Sequence, residues 1–438
     1  MRVKERVKTI LIILLSISAV ALGLGTGLFD GAIRSADFYT TIEEMFLPEV
    51  APQRTIVSAA RPTAALASLG PDAAYGHRWD GPGTSAGVAH LYSQFFGVLG
   101  EAFGSSGPAA AISRSDWEAA LSNPGIFFRY DLEIPGSVLA RWFGTEPGGA
   151  VAPLQMLYLS AHPDRVDLYF MGNDTRPHRS ATAVRSADVL ELLHALNPNG
   201  ARFGFQSATV STLDPNTILL PHYDQIPTIW EHNAIGGIYG NLDELLLRFH
   251  INAALARSMD EGGTHIFVEG GATLRILEDG AIHYQHQGDS PRITTVDPSP
   301  DLWGAIEAAR QIAEVLTLVS GAADIYLTEF EQQDDQLIIR FGYYIGGLPI
   351  WTDSPAAQVT IRGRYVTEVT LLARGYYYTG QFSAVLPELQ ATAAAGNVPL
   401  RLAYAPAGAA IGDPAQMIGI ELRARWILDP AREEGGHG

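Results

Sequence analysis

Apolar residues are distributed along this chain in three ways. The first is an almost unbroken run, Ile10 to Phe29, with no charge and only Ser16, Ser18 and Thr26 as polar side chains. The second is helical spacing, as in Val88, Leu91, Phe95 and Leu99, in Val189, Leu190, Leu193 and Leu196, and in Leu242, Leu245, Leu246, Phe249 and Ile251. Ile306, Ala309, Ile312, Ala313, Leu316 and Val319 repeat it within a helix expected over residues 302–319, after Pro298–Asp301. The third comprises short strand-like runs at 126–130, 154–159, 166–171, 264–269, 273–277, 281–285, 323–330, 337–344, 358–362, 365–373, 400–404 and 419–428.

Punctuation between these runs sharpens the prediction. Asn197–Gly200 ends the helix that contains Leu193, and Asn241 with Glu244 three residues later reads as a helix cap. Asp279–Gly280 separates two strands and predicts a tight hairpin, because Asp-Gly tolerates left-handed turn dihedrals. A polar turn at Gln332–Asp335 and the Gly363–Arg364 pair predict two further hairpins. A helix followed by several antiparallel strands, twice in succession, is an α+β pattern and not the strand–helix alternation of a dinucleotide fold.

The run Ile10–Phe29 changes the picture of location. Twenty helical residues rise about 30 Å, the thickness of a hydrocarbon core. Arg2, Lys4, Arg6 and Lys8 precede the run against one acid, Glu5, while Asp30 follows it. That bias predicts a single-pass cell-membrane protein, N-terminus in the cytoplasm and the bulk of the chain extracytoplasmic. A cleaved signal peptide shares the layout, but the run exceeds the usual signal core and no A-x-A site closes it.

The expected fold class is therefore α+β, with an N-terminal transmembrane helix followed by two or three extracytoplasmic domains of helix plus antiparallel sheet. The divisions are 1–30 cytoplasmic tail and anchor, 31–83 membrane-proximal irregular segment, 84–200 N-terminal domain, 201–294 middle domain, 295–430 C-terminal domain and 431–438 tail. Within 31–83, the stretch from Arg61 onward is rich in Ala, Gly and Pro and reads as loop or irregular packing.

Composition removes several functions. The formal net charge is −18, and no lysine follows Lys8, which argues against nucleic-acid binding. The chain has no cysteine, so disulfides, iron–sulfur ligation and thiolate zinc sites are excluded.

Candidate chemistry is sparse. Gly83–Gly87 matches the G-x-S-x-G nucleophile elbow around Ser85, but His77–Pro82 before it is no buried strand, so a turn or helix start is expected there. His283, His286 and Asp289 lie close in sequence, yet strand alternation puts the two histidines on opposite faces. His222, Asp224, Glu231 and His232 combine zinc- or iron-ligating types, at a spacing that matches no established template. The acidic pairs Glu43–Glu44, Asp334–Asp335 and Glu433–Glu434 read as solvated, the second of them in a hairpin turn. Tyr343–Tyr344, Trp351 and Tyr376–Tyr378 are dense aromatics, read either as strand core or as the lining of a groove for another protein or peptide. No P-loop, H-E-x-x-H or nucleotide fingerprint occurs in the outer portion, and Gly23, Gly25 and Gly27 belong to the apolar run. No catalytic, cofactor-binding or metal residue is assigned, and no cofactor is expected.

FVEGGATLRILEDGAIHYQH at 267–286, LIIRFGYYIGGLPI at 337–350 and AAQVTIRGRYVTEVTLLARGYY at 356–377 resemble segments of YycH-type regulatory proteins. The likeness is clearest over about 240–380. It implies a membrane-anchored, noncatalytic accessory regulator of a sensor histidine kinase controlling cell-wall metabolism, acting through transmembrane-helix and outer-domain contacts. The implied partners are that kinase and a YycI-like companion, with homo- or hetero-oligomers allowed, lipid around residues 10–29 and no nucleic acid. Two other functions are weighed, a membrane-tethered cell-envelope binding or assembly protein and an extracellular hydrolase.

Overall fold

The computed structural model describes residues 59–70, 73–82, 87–149, 151–207, 214, 216–221, 225–287, 293, 301–395, 400–407 and 419–428. The chain enters its first sheet through β1 (Ala64–Gly70) and β2 (Ala73–His77), then forms α1 (Val88–Gly104). There follow β3 (Ala110–Ala111), α2 (Arg114–Leu121), β4 (Gly125–Ile134), α3 (Gly136–Trp142), β5 (Leu154–Ala161), β6 (Val166–Met171), β7 (Pro177–Ala181) and α4 (Ser186–His194). The strands make an antiparallel sheet in the order β2-β1-β4-β5-β6-β7-β3.

Both faces of this sheet are covered. Leu91, Phe95 and Leu99 of α1, Val138 and Leu139 of α3, and Val189 and Leu193 of α4 join Phe128, Leu157, Leu168 and Phe170 in one core. On the other face, Trp117 and Leu121 of α2 meet Leu66, Phe127, Tyr158, Tyr169 and Met171. Phe203 and Ile218, from the short pair β8 (Arg202–Phe203) and β9 (Ile218–Leu219), complete that second core. Every residue of β6 is consequently buried, which is why its sequence reads as a continuous apolar run.

The stretch after Arg61, expected to be irregular, holds β1 and β2 inside the first sheet. Alanine is a weak strand former, but tertiary packing overrides propensity here. Ala65 and Ala67 lie under the helical layer while Ala64 and Leu66 face the second core, and small side chains let both layers approach closely.

The chain then forms β10 (Ile226–Asn233), α5 (Ile235–Gly240), α6 (Leu242–Arg248), β11 (Arg257–Glu261), β12 (Thr264–Glu269), β13 (Ala272–Ile276) and β14 (Ala281–His286). After α7 (Leu302–Ala313) come β15 (Asp324–Gln333), β16 (Gln336–Ile345), β17 (Leu348–Pro349), β18 (Ala357–Arg362) and β19 (Tyr365–Leu372). The last elements are β20 (Arg374–Ser383), α8 (Glu388–Ala395), β21 (Leu400–Pro406) and β22 (Ile420–Leu428). One sheet runs β11-β12-β13-β14-β19-β18-β16-β15, with β17 on β16, and a four-stranded sheet runs β20-β10-β22-β21. Strands on both sides of residue 294 therefore share a sheet, since β14 pairs with β19.

Along β13, β14 and β19 the long sheet buries one face. Along β14, Ile282, Tyr284 and His286 are buried and alternate with half-buried Ala281, His283 and Gln285. Its apolar face joins Leu245, Leu246 and Phe249 near α6 and Ile306, Ala309 and Ile312 of α7 in one core. Asp301 caps α7 by accepting from the Gly304 N–H at 2.9 Å. Ala373 alone separates β19 from β20, so the chain passes from one sheet to the other in a single step.

The expected anchor is not carried by this structure. Among the described residues no helix is long and apolar enough to cross a membrane. The longest helix among the described residues, α1, buries one stripe and exposes His90, Ser93 and Glu101 on the other. Ile10–Phe29 lies outside the described residues. Single-pass topology, the extracytoplasmic placement tied to it and any action through a transmembrane helix are accordingly withdrawn, and α+β is what remains of the expected fold class.

Candidate functional site

β16 carries a charged residue inside an apolar run: Arg340 stands between Ile339 and Phe341. Strand alternation places Arg340, Gly342 and Tyr344 on one face. Opposite them stand Arg401 and Ala403 of β21 and Ile427 of β22, and the segment Pro349–Pro355 closes one side. Between these walls lies a cleft of about 270 Å³, which Thr328 and Glu329 also line. Gly342 keeps the floor low, because a Cβ there would come within 2.8 Å of Thr328 Cγ2.

The charges carried by the strands around the cleft are engaged in pairs. Arg340 donates through Nε to Gln358 Oε1 at 2.9 Å and pairs through Nη1 with Glu329 at 2.8 Å and Glu331 at 3.6 Å. Arg401 pairs with Asp131 of β4, and the Tyr344 hydroxyl donates to the same carboxylate at 3.2 Å. Burial, followed by the charge of Asp131, raises the Tyr344 hydroxyl far above the usual phenol range, so it stays protonated and remains a donor. Trp351 differs from all of these. Its backbone N–H donates to Tyr404 O at 2.8 Å, while the residue stays 44% exposed at the mouth of the cleft.

The other polar centre lies where the chain changes sheets. Glu231 of β10 pairs with Arg374 of β20 at 3.3 Å, and Arg374 also donates to Asp279 O at 2.6 Å. Burial raises the Glu231 carboxyl, and the neighbouring Arg374 guanidinium partly offsets that rise. Tyr343 donates to Leu372 O at 2.7 Å, and Tyr376 packs edge-on against Tyr343 with ring centres 5.0 Å apart.

The candidates named from sequence are dispersed. Ser85, His222, Asp224, Asp289, Glu43, Glu44, Glu433 and Glu434 lie outside the described residues. Glu231 faces the Arg374 pair, whereas His232 faces the opposite side of β10 and stacks on Tyr377 at 5.0 Å. His283 approaches Thr370 Oγ1 at 3.2 Å, and His286 is buried on the other face of β14. No group of three or more potential ligands for a metal ion occurs among the described residues. Asp334, with φ of 51°, and Asp335 form the β15–β16 turn, where Asp335 pairs with Arg362 at 3.1 Å. Of the aromatics, Tyr343, Tyr344 and Trp351 line the cleft, Tyr376 is core, and Tyr377 and Tyr378 are exposed.

Sequence inspection missed Arg340, Arg401 and Asp131. A lone arginine within LIIRFGYY was a usable signal for the first, but Asp131 and Arg401 are 270 residues apart and nothing local joins them.

These features define the chain as an α+β protein of extended antiparallel sheets with a mixed-polarity cleft among the described residues. No family model, no curated protein and no solved structure matches it. The resemblance to YycH-type proteins is therefore not sustained, and the regulatory role drawn from it is withdrawn with the cell-wall and kinase context.

Proposed function

We propose that this chain is a noncatalytic binding protein whose cleft takes one large side chain from an extended segment of a polypeptide partner. The observation that carries this reading is the contrast at the cleft, where a bare indole stands beside strand-borne charges, those of Arg340, Glu329 and Arg401, that are already paired. Catalysis needs a group poised to gain or lose a proton or to attack. Arg340, Arg401, Glu329 and the Tyr344 hydroxyl are instead fixed in pairs. A half-exposed tryptophan beside buried tyrosines has the composition of a contact hot spot. The volume points the same way: about 270 Å³ falls below the ~300–1,000 Å³ of small-molecule sites and suits a side-chain anchor.

The test is selection from a random peptide library, with binding measured by fluorescence polarisation against wild type, Trp351→Ala and Gly342→Val. Peptides of this cleft lose about tenfold or more in affinity on either substitution. A library that yields only peptides indifferent to both substitutions sinks the reading.

A further inference from the structure

Asp167 lies in the middle sheet layer, on β6 opposite Ser160 of β5 and Ala181 of β7, and its side chain is 0% exposed. A carboxylate in such a place requires a counter-charge. Elsewhere among the described residues a buried carboxylate makes one ion pair with arginine, as Glu231 with Arg374 and Glu388 with Arg78 at 3.0 Å. Asp167 has three basic neighbours. Its Oδ2 accepts from Arg165 Nε at 3.0 Å, with Arg179 Nε at 3.7 Å and His162 Nε2 at 3.5 Å.

The two arginines are turned outward. Their side chains are 51% and 42% exposed, and each addresses Asp167 through Nε. Their terminal guanidinium nitrogens make no other hydrogen bond among the described residues. The β5–β6 turn is braced, since His162 N–H donates to Arg165 O at 2.8 Å and Ser186 Oγ donates to His162 O. Two permanent positive charges thus stand half in solvent beside a single buried carboxylate, on a chain whose net charge is −18. Asp164, in the same turn, is the acidic neighbour that faces Arg165.

We propose that Arg165 and Arg179, splayed and oriented by Asp167, form a site for a tetrahedral oxyanion of the phosphate type, with His162 at its edge. Planar guanidinium forks with unengaged terminal nitrogens bind such oxygens in pairs, a geometry that carboxylates of the protein otherwise occupy. The buried carboxylate sets the spacing and tilt of the two forks. This site is separate from the cleft and stands or falls without it.

Calorimetric titration of the full chain with inorganic phosphate, at constant ionic strength against chloride and acetate, tests the site. Wild type shows saturable phosphate binding and a phosphate-dependent rise in Tm. Arg165→Gln and Arg179→Gln each weaken binding about tenfold, and the double variant abolishes it. Arg185→Gln, which breaks the exposed pair with Asp188, leaves it intact. A role limited to neutralising Asp167 lowers the Tm of the variants in phosphate-free buffer with no phosphate response in wild type. That outcome, or equal responses to acetate and phosphate, overturns the proposal.

Discussion

The first sheet and the long sheet use the same antiparallel architecture but differ in how many faces they bury. In β6 every position is buried, with Phe170 facing the helical layer and Tyr169 facing α2. In β19 burial alternates, so Val369 is core while Glu368 beside it is exposed. A sheet enclosed on both sides has no neutral positions, whereas a sheet with one bare face has them at every second residue.

The largest expected effects fall on the enclosed sheet. Phe170→Ala and Tyr169→Ala each cost about 3–5 kcal/mol in urea unfolding, although the two residues point in opposite directions. On the one-faced sheet Glu368→Ala stays within about 0.5 kcal/mol while Val369→Ala is clearly destabilising. A mild Tyr169→Ala breaks the comparison, because it leaves the second core of the first sheet without energetic weight.

The sheet-changing corner gives the next effect. Glu231→Ala strands Arg374 in a largely buried place and costs about 3 kcal/mol, at the low end for broken buried pairs because Arg374 is 21% exposed. Acidity sharpens this. Burial raises the carboxyls of Glu231, Asp80 and Glu388 in the fold. A carboxyl raised on folding binds protons more tightly in the native state. Its contribution is fully present below its unfolded value and is lost as pH climbs through the raised one. Denaturant titrations should show stability from these three groups growing as pH falls from neutral toward the ordinary carboxylate range. Glu231→Gln and Glu388→Gln should flatten that profile, and an unchanged slope would contradict the assignment.

Smaller effects come from the edges of the two regions. Asp80 accepts from the Ala89 N–H at 3.0 Å and caps α1, and its own N–H donates to Gly346 O at 2.8 Å in the β16–β17 turn. Asp80→Ala should cost about 1 kcal/mol, read as a lower unfolding midpoint. Trp351→Ala should change stability by less than about 0.5 kcal/mol, since its ring is half in solvent.

Local signals were read well from the chain, and signals that depend on distant partners were not. Asp279 and Gly280 form the hairpin that their sequence announces, with Gly280 at φ of 90° and Ile276 paired with Ile282. The Gly363 turn, with φ of 60°, likewise joins β18 to β19. Asn241 misled because a second helix precedes it. Its side chain donates to Gly237 O at 2.8 Å and finishes α5 in place of capping α6. The helix from Leu302 ends its regular turns at Ala313 and continues as a tighter coil over Glu314–Leu318, a change the apolar spacing alone does not mark. β1 and β2 escaped notice because alanine advertises neither strand nor helix period strongly. The cleft escaped because its walls come from β15, β16, β21 and β22, which are brought together only by the fold.

The strand β10 has a history as well as a place. Both of its neighbours, β20 and β22, lie far downstream, and Thr228 meets Thr379 across 151 residues of chain. A ribosome adding ~5–20 residues per second leaves Ile226 and Ile229 without their sheet for on the order of ten seconds. Through that interval the nascent chain carries an unpaired apolar strand. The four-stranded sheet is thus the last part of the molecule to close, and the part where chaperone dependence and misassembly during synthesis should concentrate.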